Sequence, residues 1–399
     1  MRFPLALLLV LFVADIAADC FIYNKLKTLE RFKWLKTAHI TVSAIFCILL
    51  GVIGFLLLHS SEDTTFVFIM WAIFVFWSAF IPKLLYTTFG IVSNIPKLFR
   101  QKTWKYIHTA GIAAALATFA AMWWGAIFTT RQLEIKNVEI SSSKLPKSFD
   151  GYRIALFSDL HTGTFGNSVN KVEQLVKRIN ELSPDLIVFA GDIVNRKTSE
   201  LRPFIPTLKK LCAKDGVYSV LGNHDYGDYY SWETSSQKEA NHKEMLSIQK
   251  DSLGWILLSN EHRLIYRQPD SIAVIGVENW GEPPFSTYGN LSQSYPDLHD
   301  NRYKLLISHN PEHWDKVVRN TSNIDLTLSG HTHGMQLILS AGENKISPAS
   351  IKYKHWGGLY RHQNSVLYVN IGIGEVGIPM RIGATPEITL ITLRSTTAK

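Results

Sequence analysis

The sequence predicts an α/β (α+β) sandwich, two packed β-sheets flanked by helices, preceded by an all-α transmembrane region. Three observations carry this. Four apolar runs of membrane-spanning length come before residue 130, and after Gly151 short β-rich runs alternate with helical patterns. Towards the C-terminus, strand-like runs continue without long helices between them, as a second sheet packed face to face on the first would require. The organisation expected is a membrane region over 1–130, a juxtamembrane connection with a first strand over 131–150, and a globular domain over 151–399.

The runs are Phe3–Phe21, Ile40–Leu58, Phe66–Tyr86 and Ile107–Phe128, each near the roughly 20 residues that cross a hydrocarbon core. The last three carry almost no charge, and Trp71, Trp77, Trp104, Trp123 and Trp124 include residues near their ends, where aromatic belts form. Asp15 and Asp19 interrupt the first run, and carboxylates are expensive in a bilayer. Arg2, the stretch Leu5 to Leu11 and Ala17-Ala18 also fit a signal peptide, yet Asp19 sits badly for cleavage before Cys20. A retained helix is the preferred reading, with Asp15 against other helices or water.

Lys25, Lys27, Arg31, Lys33 and Lys36 follow the first run, and Lys97, Arg100, Lys102 and Lys105 precede the fourth, whereas the middle loop carries Glu62 and Asp63. The positive-inside rule then puts the first and third loops in the cytoplasm and everything after the fourth helix outside. Most of the +8 net charge belongs to these loops, so the basic balance serves topology and implies no nucleic-acid partner. Cys20, Cys47 and Cys212 match neither a disulfide framework nor a zinc motif.

In chain order, strands are expected near Leu133 to Ile140, Arg153 to Ser158, Leu186 to Ala190, Val217 to Leu221, Ile272 to Val277, Lys304 to Ser308 and Leu326 to Leu328. Val169, Val172, Leu175, Val176, Ile179 and Leu182 share one helical face, and further helices are expected near Pro203 to Ala213 and Gln237 to Ser252. The late runs Gln336 to Leu339, Ser365 to Val369 and Ile388 to Leu393 are those assigned to the second sheet.

Five polar motifs sit where these strands end: Asp159-Leu160-His161, Gly191-Asp192, Gly222-Asn223-His224-Asp225, Ser308-His309 and Gly330-His331-Thr332-His333. Desolvating such groups costs several kcal/mol when they stay unpaired, and metal coordination would offset that cost. Mixed O and N donors suit Mn, Fe, Zn or Co rather than a thiolate-held structural zinc. Two ions need a shared ligand, a carboxylate can bridge two ions about 4 Å apart, and Asp192, after Gly191, is the best-placed bridge.

In their order and type these motifs resemble the D-x-H, G-D, G-N-H-D, H and G-H-x-H signatures of the calcineurin-like metallophosphoesterases, over roughly residues 133 to 395. The resemblance implies the two-sheet metallophosphoesterase fold and two divalent or trivalent metal ions. One would be bound by Asp159, His161, Asp192 and His333, the other by Asp192, Asn223, His309 and His331. It also implies His224 as the catalytic histidine, protonating the leaving oxygen after attack by a metal-bridging hydroxide. Asp225 is expected to shape its turn.

The protein-phosphatase branch has G-D-x-x-D-R-G, but Gly191-Asp192 continues here as Ile193-Val194-Asn195-Arg196-Lys197. Asn195 replaces the carboxylate that pairs with the catalytic histidine there, and a neutral amide orients His224 without raising its pKa. Arg196 is a candidate phosphate contact. The run Gly372 to Arg381, followed by Pro386-Glu387-Ile388, resembles the membrane-associated bacterial branch of the family, and Arg381 is a candidate for an anionic substrate group or for a structural ion pair. Tyr226, Tyr229, Tyr230 and Trp232, with Trp280, Pro283, Pro284, Phe285 and Tyr288, could cap the site, hold an acyl chain or pack on each other.

The function expected is a membrane-anchored two-metal hydrolase of a phosphodiester, phosphomonoester or pyrophosphate bond. Its partners would be the lipid bilayer and a phosphorylated small-molecule or lipid-linked envelope substrate. Two alternatives remain: a cytoplasm-facing UDP-diacylglucosamine-type pyrophosphatase, and a membrane binding protein without catalysis. A transporter role is disfavoured, because the four runs show no paired broken segments.

Overall fold

A computed structural model of the chain describes residues 5–27, 33–59, 63–281, 286–297, 300–321, 323–342 and 344–396. The chain divides into two units, residues 1–128 with 377–380, and residues 129–376 with 381–399.

In the first unit each apolar run is helical: α1 (Leu5–Leu26), α2 (Lys33–His59), α3 (Asp63–Asn94) and α4 (Lys105–Ile127). Among the described residues, three segments are long and apolar enough to cross a membrane, at Lys33–Leu56, Thr65–Phe99 and Lys105–Arg131. The helix α1 is not among these three, and it carries the two carboxylates. Both meet a cation inside the third run, with Lys83 Nζ 2.5 Å from Asp15 Oδ1 and 3.0 Å from Asp19 Oδ1. Asp15 thus makes a polar contact with another helix, which is how a buried carboxylate avoids its desolvation cost. Arg31 and Glu62, which enter the loop-charge argument, lie outside the described residues.

The second unit contains β1 (Glu134–Ser142), β2 (Arg153–Phe157), β3 (Leu186–Phe189), β4 (Val217–Ser219), β5 (Ile256–Leu257), β6 (Glu261–Arg267), β7 (Asp270–Gly276), β8 (Tyr303–Ile307), β9 (Leu326–Ser329), β10 (Leu339–Ala341), β11 (Asn344–Ile346), β12 (Gly358–His362), β13 (Ser365–Val369) and β14 (Glu387–Ser395). They form two six-stranded mixed sheets, ordered β1-β14-β2-β3-β4-β5 and β12-β13-β9-β8-β7-β6, and a separate β10-β11 hairpin.

Period-2 alternation explains the layering. Ile154, Leu156, Val188 and Val220 of the first sheet share a core with Ile272, Val274, Leu305, Ile307 and Leu328 of the second. The intervening Ala155, Phe157, Ile187 and Phe189 turn to the other side, where they meet Val172, Leu175, Val176 and Ile179 of α5 (Asn170–Glu181). Ala273, Ile275 and Leu306 cover the outer face of the second sheet with Trp314 and Val318. Helix, sheet, sheet and helix therefore stack as four layers.

Three expectations need correction. Ile388 to Leu393 lies in the first sheet, because β14 runs parallel to β1 and antiparallel to β2 between them. The second sheet instead takes β7, β8 and β9. Gln336 to Leu339 is not one strand, since His333, Met335 and Gln336 have φ of 51°, 45° and 57°, a left-handed backbone that no strand accommodates. The helix at Pro203 to Ala213 shrinks to a tight turn over Thr198–Phe204 and the single turn of α6 (Ile205–Leu208), because Pro203 and Pro206 lack the amide that a longer ladder needs. The next helix, α7 (Ser235–Ser247), starts where the Thr234 hydroxyl accepts from the Gln237 amide at 3.2 Å.

Candidate metal centre

Every predicted ligand follows a strand's C-terminal end: Asp159 and His161 after β2, Asp192 after β3, Asn223 and His224 after β4, His309 after β8, and His331 and His333 after β9. The first three strands belong to one sheet and the last two to the other, so the site forms where the carboxyl ends of interior strands of both sheets come together. Two groups of side chains converge closely enough to hold a cation, Asp159 with His161 and His333, and Asp192 with His309 and His331. Each draws on both sheets.

The backbone is bent to achieve this. Asp159, His161, Asp192, His331 and His333 have φ of 51°, 46°, 62°, 76° and 51°, a region that costs non-glycine residues about 1–3 kcal/mol each and clusters at functional sites. Gly191, at φ 95°, lets two loops close on one another, for a Cβ there would lie 2.6 Å from the Gly222 amide nitrogen and 2.9 Å from His309 Nδ1.

Hydrogen bonds aim the donors. His161 Nδ1 donates to the Val194 carbonyl at 3.0 Å and His309 Nδ1 to the Ala190 carbonyl at 2.7 Å, which leaves Nε2 of each ring for the site. His331 uses its two nitrogens in the opposite sense, with Nδ1 3.2 Å from His309 Nε2 and Nε2 3.1 Å from the Tyr353 hydroxyl. Asp192 Oδ1 accepts from the His224 amide at 2.8 Å. Its Oδ2 lies 3.1 Å from His309 Nε2 and 3.7 Å from His161 Nε2, between the two groups. Asn223 Nδ2 donates to the Tyr229 hydroxyl at 2.8 Å, while Asn223 Oδ1 is buried and lacks a hydrogen-bond partner. An orphaned buried oxygen beside two carboxylates and four imidazoles is a donor set that fits divalent cations.

The charges of these side chains act on one another. Burial opposes ionisation of Asp192, but His309 and His224 outweigh it and hold the carboxyl well below its usual range. Burial alone would depress His309, yet the Asp192 carboxylate lifts it to about 9. Burial, aided by His309, pulls His331 down to about 3.

The His224 ring donates from Nδ1 to the backbone carbonyl of Asn195 at 2.6 Å, so the main chain orients it. The expected side-chain amide does something else, with Asn195 Oδ1 accepting from the Thr164 amide at 3.0 Å and Nδ2 donating to the Glu375 carbonyl at 3.2 Å. Tyr229 stacks on His224 with centroids 4.1 Å apart and planes 19° apart. Asp225 shapes the turn, accepting from the amides of Asp192, Ile193, Val194 and Gly222.

Arg381 is not at a substrate-facing surface. It is fully buried and donates to the carbonyls of Gly374, Ile371 and Ala384, and to His333 Nδ1 at 3.2 Å. Arg196 is half-buried with Nε on Glu200 Oε1 at 3.2 Å, which occupies part of its fork. Of the aromatic residues, Tyr226 stacks on Tyr288 and His242, and Trp280 on His313. Pro283, Pro284 and Phe285 lie outside the described residues. Tyr353, close to His331 in space and 22 residues away in sequence, was invisible to motif reading.

Comparison with known proteins identifies the family. A family model for calcineurin-like phosphoesterases matches residues 152–335, and one for the transmembrane domain of such phosphoesterases matches residues 1–130. An uncharacterized metallophosphoesterase of Bacillus subtilis is 30% identical over 75% of this chain and 99% of its own length. A transmembrane protein with metallophosphoesterase domain from Danio rerio is 30% identical over 77% of this chain and 69% of its own. An uncharacterized metallophosphoesterase of Helicobacter pylori is 25% identical over 98% of both chains. The chain belongs to the calcineurin-like metallophosphoesterase family. It is a membrane protein and a hydrolase of the phosphoesterase class.

Proposed function

We propose that the protein is a membrane-anchored two-metal phosphoesterase acting outside the cytoplasm on an envelope or lipid-linked phosphate ester or pyrophosphate. The observation that carries this is Asp192 Oδ2, which lies 3.1 Å from a histidine of one group and 3.7 Å from a histidine of the other while Oδ1 is tied to an amide. Two cations held by Asp159, His161, Asp192 and His333, and by Asp192, Asn223, His309 and His331, would supply an activated water and polarise a phosphoryl oxygen.

The chain's own residues supply the rest. With Nδ1 committed to the Asn195 carbonyl, His224 Nε2 is the atom left to face the leaving oxygen, and only the imidazolium, formed when Nε2 takes up a proton, can give that proton to it. Burial pulls the His224 imidazole down, opposed by Asp192 and the Asn195 carbonyl. The Tyr229 ring keeps that imidazole from swinging. The basic first and third loops support the extracytoplasmic placement.

The test compares bis-aryl and mono-aryl phosphate hydrolysis in Mn, Zn, Fe and Mg for wild type and Asp192→Asn. Full activity in the variant would remove the bridge from the mechanism. A reporter fused after the last residue tests orientation, and a cytoplasmic signal would favour a UDP-diacylglucosamine-type pyrophosphatase instead.

A further inference from the structure

Seven large apolar or aromatic side chains are exposed among the described residues of the hydrolase unit, and five of them, Met335, Leu339, Ile346, Ile351 and Leu359, fall within residues 335–359. Scattered exposed apolar residues need no explanation, whereas a cluster marks a contact surface. Ile351 is 90% exposed, Ile346 65% and Leu339 58%. Leu339 and Ile346 are direct partners across the β10-β11 hairpin and so share a face. The adjacent Ile338 points the other way and packs with Ile371, Ala384 and Trp356. One side of the hairpin is thus anchored and the other is offered to the surroundings.

We infer that this face is a docking surface for the headgroup region of an anionic lipid bilayer. Lys345, Lys352 and Lys354 are exposed in the same segment, Lys354 with Asp315 Oδ1 3.9 Å away, and Glu343 is the one acidic residue of the sequence from 335 to 359. Apolar side chains interleaved with lysines are the chemistry of an interfacial segment on an anionic leaflet. A second copy of the chain fits less well, since an isologous contact would set these lysines against themselves.

The surface is tied to the metal centre at both ends. Met335 lies two residues beyond His333, the Ser347 hydroxyl donates to the Gly334 carbonyl at 2.6 Å, and the Tyr353 hydroxyl sits 3.1 Å from His331 Nε2. Docking would therefore bring a lipid headgroup to the rim of the site. This deepens the lipid-linked substrate reading proposed above and rests on it for its purpose, though not for its physical basis.

The test uses the full chain in proteoliposomes with Cys20, Cys47 and Cys212 replaced by Ser. An environment-sensitive fluorophore is placed on Ile346→Cys, Ile351→Cys or, as a control outside the segment, Tyr266→Cys, which starts from 67% exposure. Wild-type melting temperature in detergent verifies folding of each labelled protein. Nitroxide-labelled lipids should quench positions 346 and 351 at least about threefold more than 266, and more strongly as the phosphatidylglycerol fraction rises. Equal quenching at all three positions overturns docking. So does a fluorescence change that follows protein density and ignores the nitroxide lipids, which is the signature of a second copy. Failure of wild type to hydrolyse an activated diester would instead sink the phosphoesterase reading and leave the quenching result standing.

Discussion

In the first ligand group, Asp159, His161 and His333 are supported from within the fold, by the Val194 carbonyl, the buried Arg381 guanidinium and the His331 amide, which donates to Asp159 Oδ1 at 3.0 Å. In the second, the Ala190 carbonyl fixes His309 and the His224 amide donates to Asp192 Oδ1 at 2.8 Å, while His331 and Asn223 meet the hydroxyls of the buried Tyr353 and the half-exposed Tyr229. The donors are alike, yet the first group's outer partners are main-chain groups and a buried guanidinium, whereas two donors of the second meet tyrosine hydroxyls. The difference teaches that the second group can be perturbed at two side-chain hydroxyls without touching a strand.

The largest effect expected is at the residue shared by both groups. Asp192→Asn should lower hydrolysis by more than the roughly 10–100-fold typical of outer-partner changes, with metal analysis showing loss from both sites. Loss from one site only would mean that the groups are not coupled. Next comes His224→Ala, which removes the proton donor and should cost about 10²–10⁴-fold in kcat with metal content intact. A parallel loss of metal would show that the imidazole is a ligand.

The comparison between the groups is sharpened by the tyrosines. Tyr353→Phe and Tyr229→Phe should each weaken metal affinity by about 10–100-fold at one site of two, read as a biphasic chelation curve in which the first site is unaffected. Uniform loss from both sites would erase the distinction drawn here.

The smallest effect is on stability, at a residue that is not itself a donor in either group. Burial pushes the Glu387 carboxyl up to about 7, against Lys136 and the Ile371 amide. Its folded pKa exceeds its unfolded value, so the native state holds the extra proton and stability falls as pH rises from about 4.5 to about 7. Glu387→Gln should remove at most about 3 kcal/mol of that decline, measured as the difference in denaturant midpoints of the two proteins across this range.

Much of this was legible in the sequence because strand ends and motifs coincide. β2, β3, β8 and β9 each lie within one or two residues of their predicted limits, and the polar residues follow directly. Legibility failed where long-range pairing decides. Nothing local in Ile388 to Leu393 says that it inserts between β1 and β2, and nothing in His333 to Gln336 announces a left-handed backbone. Outer partners escaped for the same reason: Tyr353 and the Asn195 carbonyl act through folded proximity. Of the two readings of Arg381, the structural one fits its buried place beside Glu375 and the carbonyls of Ile371 and Ala384, a choice the sequence left open because an arginine near a phosphate site looks the same in either role.

The central claim is that Asp192 joins two cations into one centre. Electron paramagnetic resonance of the full chain loaded with Mn tests it most directly. The account predicts two Mn per chain with an exchange-coupled signal in wild type that reverts to isolated-ion lines in Asp192→Asn. A single bound Mn, or two uncoupled ions in the wild-type protein, would contradict it.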